Sequence, residues 1–320
     1  MTDGQAAHHR PSRRDWLVLV AILISAFSLR FYDVNWDNNR FLHPDELFVT
    51  IRANDQIHFD EGWTWETLRN PDTSPLNPRS RTCGENICNY SYGALPLIIT
   101  DFTAEMMARV IDEKWSNFDF IPRVGRTISS FVDTITVLLI FLLAARLFGP
   151  KPGLLAAAVY AGTPLAIQLS HFFTTDIWLA CFVALTLWTS VVALDRERHG
   201  WFILAGASFG FALATKGSIL FLSGAVAVAA ILVAVRYFDL EDPAHALTVA
   251  ISRLIASGAA ALGAFALFEP YALMRTSVYI DQLQEQQMMS SGEIDFPFTR
   301  RYVGTTPILY QIEQLLRWGM

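Results

Sequence analysis

Three short polar stretches of an otherwise apolar chain contain side chains that could transfer a proton or bind an anion. His43, Asp45 and Glu46 follow the first apolar run, Asp176 precedes a later run, and Lys216 lies between two more. Charged groups near lipid are costly to hold, so each of them marks a candidate functional site. A carboxylate there could act as a general base toward a hydroxyl group. A lysine could bind a phosphate as a compact point charge.

Each of these charged residues also has a structural interpretation. Pro44 followed by two acids is typical of a helix start, where acids complement the helix dipole. Asp176 follows Thr174 and Thr175, either of which could cap a helix. Lys216 could extend its charge to the membrane interface. Taken alone, Asp45 fits the capping interpretation better. The presence of two separate acids, Asp45 and Asp176, on the same predicted membrane face favours the functional interpretation over helix capping.

The composition indicates an integral membrane protein. Hydrophobic residues make up 52% of the 320 residues and charged residues only 17%, against about 25% charged residues in soluble domains. A net charge of −6 and the lack of a basic patch exclude the usual nucleic-acid-binding classes. Three cysteines are too few for a disulfide scaffold.

Several apolar runs approach the length of about 17–25 residues that crosses a bilayer as a helix. The first, Trp16–Tyr32, follows a basic tail at 1–14 and is interpreted as an uncleaved anchor. A run that begins at Thr306 looks like a further span, and we expect the chain to be the N-terminal part of a longer protein. The other predicted spans are Val124–Phe148, Leu154–Ser170, Ile177–Leu194, Trp201–Thr215, Ile219–Tyr237 and Leu247–Phe268.

The topology depends on Tyr92–Val110, which contains Asp101, Glu105 and Arg109 among apolar residues. Its pattern indicates an amphipathic helix on the membrane surface. If it does not span, the basic residues after the later spans lie inside, as the positive-inside rule requires. We therefore predict an all-α bundle of about seven to eight transmembrane helices in 15–320. Its large external loops would be 33–123 and 269–306.

Other polar residues allow more than one interpretation. Arg30, Arg123 and Arg126 lie on the predicted external side, where each could contact phosphate or only anchor the interface. His171 by itself is weak evidence for a functional site, because it could equally be a hydrogen-bonded residue of the membrane interface. Cys83 and Cys88, in a C-x4-C pattern in the first external loop, could form a disulfide, with free thiols as the alternative. Zinc is disfavoured because no further pair of ligands stands nearby.

The order of these motifs resembles the GT-C fold glycosyltransferases, in particular the branch of protein O-mannosyltransferases and the lipid A aminoarabinose transferase. The similarity extends over nearly all of 15–320, and the order and spacing carry more weight than any one motif. The resemblance rests on His43–Glu46, Asn89–Leu97, Arg123–Gly149, Thr163–Asp176 and Ala212–Lys216.

The resemblance implies a sugar transfer from a polyprenyl-phosphate carrier to a protein, lipid or glycan hydroxyl on the non-cytoplasmic face. Asp45 would be the catalytic base, with Glu46 supporting the acceptor site, and Asp176 would be the acid of a second loop. Lys216 would bind the donor phosphate with an arginine, Arg30 or Arg126.

His43, Tyr92 and His171 are expected to line the substrate cavity. The sequence does not decide whether a metal ion binds. Oxygen ligands from Asp45, Asp176 and the phosphate would favour Mg²⁺ or Mn²⁺. An inverting displacement needs no enzyme nucleophile, and the sequence contains none of the usual catalytic triads. A bacterial plasma membrane, with the active site facing outward, is the expected location.

Two rival classes remain. A polytopic lipid or sugar transporter would explain the spans, but internal repeats with broken helices at the midplane are its usual mark, and no repeated half is visible. A non-catalytic membrane subunit is the other. The observation that discriminates them is whether Asp45 and Asp176 approach one another at a cavity.

Overall fold

The chain is described by a computed structural model, and its architecture is a bundle of helices with a compact helical cap. The described residues are 11–59, 64–80, 82–83, 86–87, 90–240, 242–297, 299–306 and 308–318. The expectation of an all-α fold is confirmed. Within the described ranges, the strands are the two-residue segments β1 (Thr82–Cys83) and β2 (Asn86–Ile87), which pair antiparallel.

The helices follow the apolar runs of the sequence. Short 3₁₀ turns at Glu113–Ser116, Gly217–Leu222 and Arg300–Tyr302 join some of them. The α-helices are α1 (Arg13–Phe31), α2 (Pro44–Gln56), α3 (Trp65–Arg69), α4 (Leu95–Val110), α5 (Ile121–Phe148), α6 (Pro150–Ala161), α7 (Pro164–Ser170), α8 (Thr175–Arg196), α9 (His199–Leu213), α10 (Ser223–Arg236), α11 (Pro243–Phe268), α12 (Pro270–Met274), α13 (Thr276–Ser291) and α14 (Leu309–Trp318).

Four helical segments in the described ranges are long and apolar enough to cross a membrane, and a bent pair makes a fifth. The four are α5, α8, α11 and Gly217–Arg236, which includes α10. The predicted number of seven to eight spans is therefore not established by helix length alone. Helix α9 is apolar but has only 15 residues, about 22 Å at 1.5 Å per residue. Helix α1 carries charged residues at both ends.

The bent pair is α6 and α7, which meet at 58°. The sequence predicts a span at Leu154–Ser170, and the structure divides that run between these two helices. Thr163 is extended and precedes Pro164. Proline lacks the N–H that would continue the helix and disfavours helical backbone in the residue before it. Apolar periodicity continues across this break and does not reveal it.

Residues of the predicted first external loop, 33–123, form a small core together with Val124 of α5 and Phe173. Val49 and Ala53 of α2, Leu97 and Ala104 of α4, and Tyr90 pack together. Helix α4 is the amphipathic helix expected at Tyr92–Val110, since it buries one face here and exposes Phe102 and Met106 on the other. It is not among the helices long and apolar enough to span.

Two further sequence predictions concern the cysteines and the chain's last helix. Cys83 lies in β1, but Cys88 lies outside the described residues, so the disulfide stays a prediction. Cys181 is buried and free in α8. The run that begins at Thr306 forms α14, a helix of 10 residues that ends two residues before the end of the given sequence.

A candidate active site at the cap of the bundle

Asp45 lies in the first turn of α2, and its carboxylate does not cap that helix. The cap is His43, whose Nδ1 accepts a hydrogen bond from the Asp45 backbone N–H at 3.2 Å. Pro44 occupies the first helical position, where its missing N–H is harmless. The Asp45 carboxylate instead accepts a hydrogen bond from the Tyr92 hydroxyl at 3.1 Å. The residue is partly exposed and remains accessible to a substrate.

Glu46, expected to support the acceptor site directly, is instead buried in an ion-pair cluster. Its two carboxylate oxygens accept from Arg126 at 2.7 Å each, and the Phe173 backbone N–H donates to one of them at 2.7 Å. The side chain has no measurable exposure. Glu46 can therefore position the first turn of α2 and hold the turn before α8, but it does not face a cavity.

Arg126, expected to bind the donor phosphate, has no donor left for one. Nε and Nη2 bind Glu46, Nη1 and Nη2 bind Asp37 at 2.8 Å each, and Nη1 also donates to the Val34 carbonyl at 3.0 Å. A guanidinium has five N–H donors, and all five are used. The expected phosphate contact is contradicted, because this side chain is committed to two buried carboxylates.

Arg30 likewise departs from its expected role. It is fully buried and pairs with Asp133 at 2.5 Å, while Nη1 donates to the carbonyls of Ala26 and Ala161. The Tyr160 hydroxyl also donates to Asp133, at 2.7 Å. Arg30 therefore joins α1, α5 and α6 inside the bundle and does not reach a phosphate site.

Lys216 and Asp176 meet in a different kind of pair. The Lys216 Nζ lies 3.0 Å from an Asp176 carboxylate oxygen, and the side chains are 28% and 38% exposed. An ammonium has three N–H donors, and one bond to Asp176 leaves donors for a ligand. Nζ also lies 5.2 Å from the centre of the Tyr92 ring. The cation is thus held between a carboxylate and an aromatic face.

Tyr92 connects the two acids that the sequence singled out. Its hydroxyl binds Asp45 and its ring faces Lys216, which binds Asp176. Burial raises the pKa of Tyr92, and the charges of Asp45 and Asp176 raise it further. The hydroxyl therefore stays protonated and donates to Asp45. The sequence analysis expected Tyr92 only to line the substrate cavity, not to connect the two acids.

The backbone around Tyr92 is held against the end of α9. The Gly93 N–H donates to the Thr215 carbonyl at 2.9 Å, and the Leu95 N–H donates to the Ala214 carbonyl at 3.1 Å. A Cβ on residue 93 would collide with the Ala214 carbonyl. Glycine is needed here for this close approach, which brings Tyr92 beside Lys216.

A second buried arginine fixes the same segment from the other side. Arg79 donates to the carbonyls of Tyr90 and Tyr92 at 3.0 Å each, and it pairs with Glu269 at 3.1 Å. Glu269 also accepts from the Ala94 N–H. Burial raises the pKa of Glu269 more than the Arg79 charge lowers it. Neither residue was singled out in the sequence, because each is an isolated charge until the loops fold together.

The Lys216 cavity is the open space beside this pair. It has a volume of about 610 Å³ and is lined by Ser91, Tyr92, Lys216–Ser218, Leu220, Phe221, Leu283, Gln286, Gln287 and Ser290. Typical ligand sites have about 300–1,000 Å³. Of the three residues expected in the substrate cavity, Tyr92 lines it. His43 caps α2 and contacts Phe172, and His171 lines a separate cavity.

A metal between Asp45 and Asp176 is not favoured by the surrounding side chains. Within the described residues, no three histidine, cysteine or acidic side chains are grouped to hold an ion. Asp45 already accepts from Tyr92, and Asp176 already pairs with Lys216. The donor set here suits an anion bound to Lys216 better than a divalent cation.

Comparison with known proteins identifies the fold and a family domain. Residues 118–268 match the family model described as dolichyl-phosphate-mannose-protein mannosyltransferase. Over 125 residues the chain is 27% identical to the lipid A galacturonosyltransferase RgtD of Rhizobium johnstonii. That alignment includes 39% of this chain and 26% of the relative.

Solved structures agree on the architecture. The apo oligosaccharyltransferase of Archaeoglobus fulgidus superimposes with a TM-score of 0.51 at 14% identity, over 95% of this chain and 37% of that one. The same enzyme in complex with Zn and sulfate gives 0.50 at 15% identity, over 94% and 43%. The chain therefore has the GT-C fold, and its residues 118–268 match the mannosyltransferase family model.

The family match confirms the resemblance to GT-C glycosyltransferases for residues 118–268. The matched segment includes Arg126, Asp176 and Lys216 but not Asp45. The chain spans 26% of the curated relative and 37% of the first solved structure. The apolar helices and the family match together indicate an integral membrane protein.

Proposed function

We propose that this protein is a membrane glycosyltransferase that moves a sugar from a polyprenyl-phosphate carrier to an acceptor hydroxyl, with Asp45 as general base. The observation that carries the proposal is the convergence of Asp45, Tyr92, Lys216 and Asp176 beside the Lys216 cavity. A base and an anion-binding cation are the two groups that this transfer needs.

In the proposed reaction, the Asp45 carboxylate removes the proton of the acceptor hydroxyl. The acceptor oxygen forms a bond to the anomeric carbon, and the bond from that carbon to the phosphate oxygen breaks. The electron pair leaves with the phosphate, whose developing charge is stabilised by Lys216. Asp176 holds the ammonium at 3.0 Å and so fixes its position. Attack from the opposite side inverts the anomeric configuration.

A monophosphate carrier suits this site better than a diphosphate carrier. Among the described residues that line the Lys216 cavity, Lys216 is the only lysine or arginine. A phosphodiester carries one negative charge, which one ammonium can neutralise, whereas a diphosphate ester carries two. The matched family description also names a dolichyl-phosphate-linked donor.

The sugar is proposed to be mannose or another hexose or pentose, and the acceptor a protein, lipid or glycan. The relatives support both kinds of acceptor, since one description names a protein and the other lipid A. The basic residues that follow the predicted spans favour a site on the non-cytoplasmic face, and we propose the bacterial plasma membrane as the location.

The first experiment is sugar transfer from radiolabelled polyprenyl-phosphate mannose by membranes that contain the full-length protein. We expect Asp45→Asn to lower the rate by about 10²–10⁴-fold, the usual contribution of a general base. The matched control is Asp119→Asn, an exposed acid of the same segment. Equal rates for both variants and the wild type would remove Asp45 from the mechanism.

The same assay separates the rival classes. A lipid or sugar transporter would move the labelled donor across the membrane without forming a glycosidic product. A non-catalytic subunit would do neither, and its membranes would match those without the protein. Transfer that depends on Asp45 excludes both.

A further inference from the structure

A second cavity, separate from the Lys216 cavity, lies where the end of α1 meets the end of α7. It has a volume of about 260 Å³ and is lined by Tyr32, Asp33, Trp36, Gln168 and His171. We call it the Trp36 cavity. It is smaller than the range of about 300–1,000 Å³ that holds drug-sized ligands, so it suits a single ring. The proposed reaction does not use any of these five residues.

The walls of the Trp36 cavity are fixed by His171. One ring nitrogen lies 2.7 Å from the Ile167 carbonyl oxygen in α7, and the other lies 3.0 Å from the Tyr32 carbonyl oxygen at the end of α1. The Trp36 ring packs edge-on against Phe172 at 5.7 Å. The cavity is therefore a built feature that two helices and one loop hold in shape.

Two polar side chains of the cavity, those of Asp33 and Gln168, are free for a ligand. Within the described residues, neither the Asp33 carboxylate nor the Gln168 amide has a side-chain hydrogen bond. Tyr32 is 77% exposed and Trp36 presents part of its ring to the cavity. None of the lining residues is a lysine or arginine. A free acid without a cation disfavours phosphate and favours a ligand with hydroxyl groups.

The side chains of the Trp36 cavity suit a sugar. The aromatic rings match its apolar C–H face, and the carboxylate and the amide match its hydroxyl groups. The apolar C–H face of a pyranose can lie on Tyr32 or Trp36, since such rings supply contact area at low entropic cost. Its hydroxyl groups can donate to Asp33 and exchange hydrogen bonds with Gln168. A hydroxyl bound by a charged group is held more strongly than one bound by a neutral group.

The Trp36 cavity is connected to the base by direct contacts. Trp36 packs on Phe172, Phe172 packs on His43 at 5.1 Å, and His43 accepts from the Asp45 N–H. Asp45 therefore contacts Tyr92 of the Lys216 cavity directly and is linked to Trp36 through His43 and Phe172. On the proposed function, the Lys216 cavity would take the donor and the Trp36 cavity the acceptor.

We propose that the Trp36 cavity binds a sugar ring of the acceptor, which makes the acceptor a glycan or glycolipid headgroup. This inference rests on the proposed function for its role in transfer, but the binding itself does not. A bound ring at Tyr32 and Asp33 would present a hydroxyl toward Asp45. The cavity would then select acceptors by their carbohydrate and not by a peptide.

The test is binding of the full-length protein, in nanodiscs, to an array of immobilised glycans and phospholipid headgroups. We expect capture by a subset of the glycans, with a loss of at least 10-fold in Tyr32→Ala and in Asp33→Asn. Asp33 has a φ of 49°, and asparagine tolerates this left-handed backbone, so the second variant should fold. Trp65→Ala, at another exposed aromatic residue, is the matched control and should bind normally.

The outcomes separate the two proposals. Asp45→Asn should keep glycan capture while it loses transfer, because it alters the base and not the cavity. Capture without any transfer in the wild type would leave the cavity assignment intact and overturn the proposed function. No glycan captured, capture unchanged in the Tyr32 and Asp33 variants, or capture by phospholipid headgroups alone would each overturn the sugar site.

Discussion

Arg126 and Lys216 are both cations paired with acids near the cap of the bundle, yet they differ in every property that decides a role. Arg126 is fully buried, and Asp37, Glu46 and the Val34 carbonyl use all its donors. Lys216 is partly exposed, makes one bond to Asp176 and faces a cavity of about 610 Å³.

The comparison teaches how to separate structural from functional charges in a membrane protein. A buried cation without a free donor can only hold helices together, and removing its partner leaves an isolated charge in a medium of low dielectric constant. A half-buried cation with spare donors contributes little to stability and can bind a ligand. Substitutions at these charges should therefore differ in their effects on stability and on activity.

Arg126→Met should produce the largest loss of stability. Asp37 and Glu46 would remain buried without their cation, and breaking a buried pair destabilises by about 3–5 kcal/mol. Thermal unfolding of the purified protein in detergent measures it. Arg123→Met, in the same helix but without an ion pair among the described residues, is the control. Equal melting temperatures for the two variants would contradict the structural role of Arg126.

Arg30→Met should be nearly as harmful, and a second substitution should partly rescue it. Asp133 is left as an isolated buried charge in the single variant. Asp133→Asn removes that charge and keeps an oxygen that can accept from Tyr160. We expect the double variant to be at least about 1 kcal/mol more stable than Arg30→Met alone. A double variant that is less stable than the single one would show that the charge is not the cause.

Arg79→Met should have an intermediate effect. Its partner Glu269 is buried, but because burial raises the pKa of Glu269, the acid can take up a proton when the cation is lost. We expect a loss of about 1–3 kcal/mol and a lower transfer rate, since Arg79 also holds the Tyr92 carbonyl. Circular-dichroism melting and the transfer assay measure the two effects. A transfer rate equal to the wild type would separate Arg79 from the position of Tyr92.

Asp37 and Glu269 should give pH dependences of opposite sign. The Arg126 guanidinium lowers the pKa of Asp37 below its usual value of 3.8, so its stabilising contribution is present above that value and is lost as the pH falls through the lowered pKa. The pKa of Glu269 is raised above its usual value of 4.5, so its contribution is complete below pH 4.5 and is lost as the pH rises through the raised pKa.

Melting temperatures between pH 7 and pH 3 measure the Asp37 and Glu269 contributions, with Asp37→Asn and Glu269→Gln as references. The stability that wild type has over Asp37→Asn should decrease below about pH 4. The difference from Glu269→Gln should change in the opposite direction. Parallel curves for the wild type and both variants would show that neither carboxyl titrates as its surroundings indicate.

Lys216→Met should have the smallest effect on stability and a large effect on activity. Its pair with Asp176 is about one-third exposed, and such pairs are worth about 0–1 kcal/mol. The loss of charge beside the departing phosphate should lower transfer by about 10²-fold or more. A variant that melts several degrees lower and keeps its transfer rate would place Lys216 with Arg126 among the structural charges.

Much of the architecture could be predicted from local sequence. Apolar runs predict helices because burial in lipid or a bundle requires them, and the positions of α5, α8 and α11 follow the runs closely. Asp45, Asp176 and Lys216 could be selected because charged residues at the ends of apolar runs are rare and need a reason. The amphipathic pattern of α4 was likewise visible in the spacing of its apolar residues.

The pairing of the charged residues could be seen only in the folded chain. Arg126 pairs with acids 80 and 89 residues away, and no local pattern distinguishes that from a phosphate contact. Asp37, Arg79, Asp133 and Glu269 became important only when the loops and helices brought them together. The amino-acid sequence by itself determined the helices and the charges at their ends, because periodicity and burial act locally. Long-range packing determined the role of each charge, because a partner's distance and the access of water exist only in the folded chain.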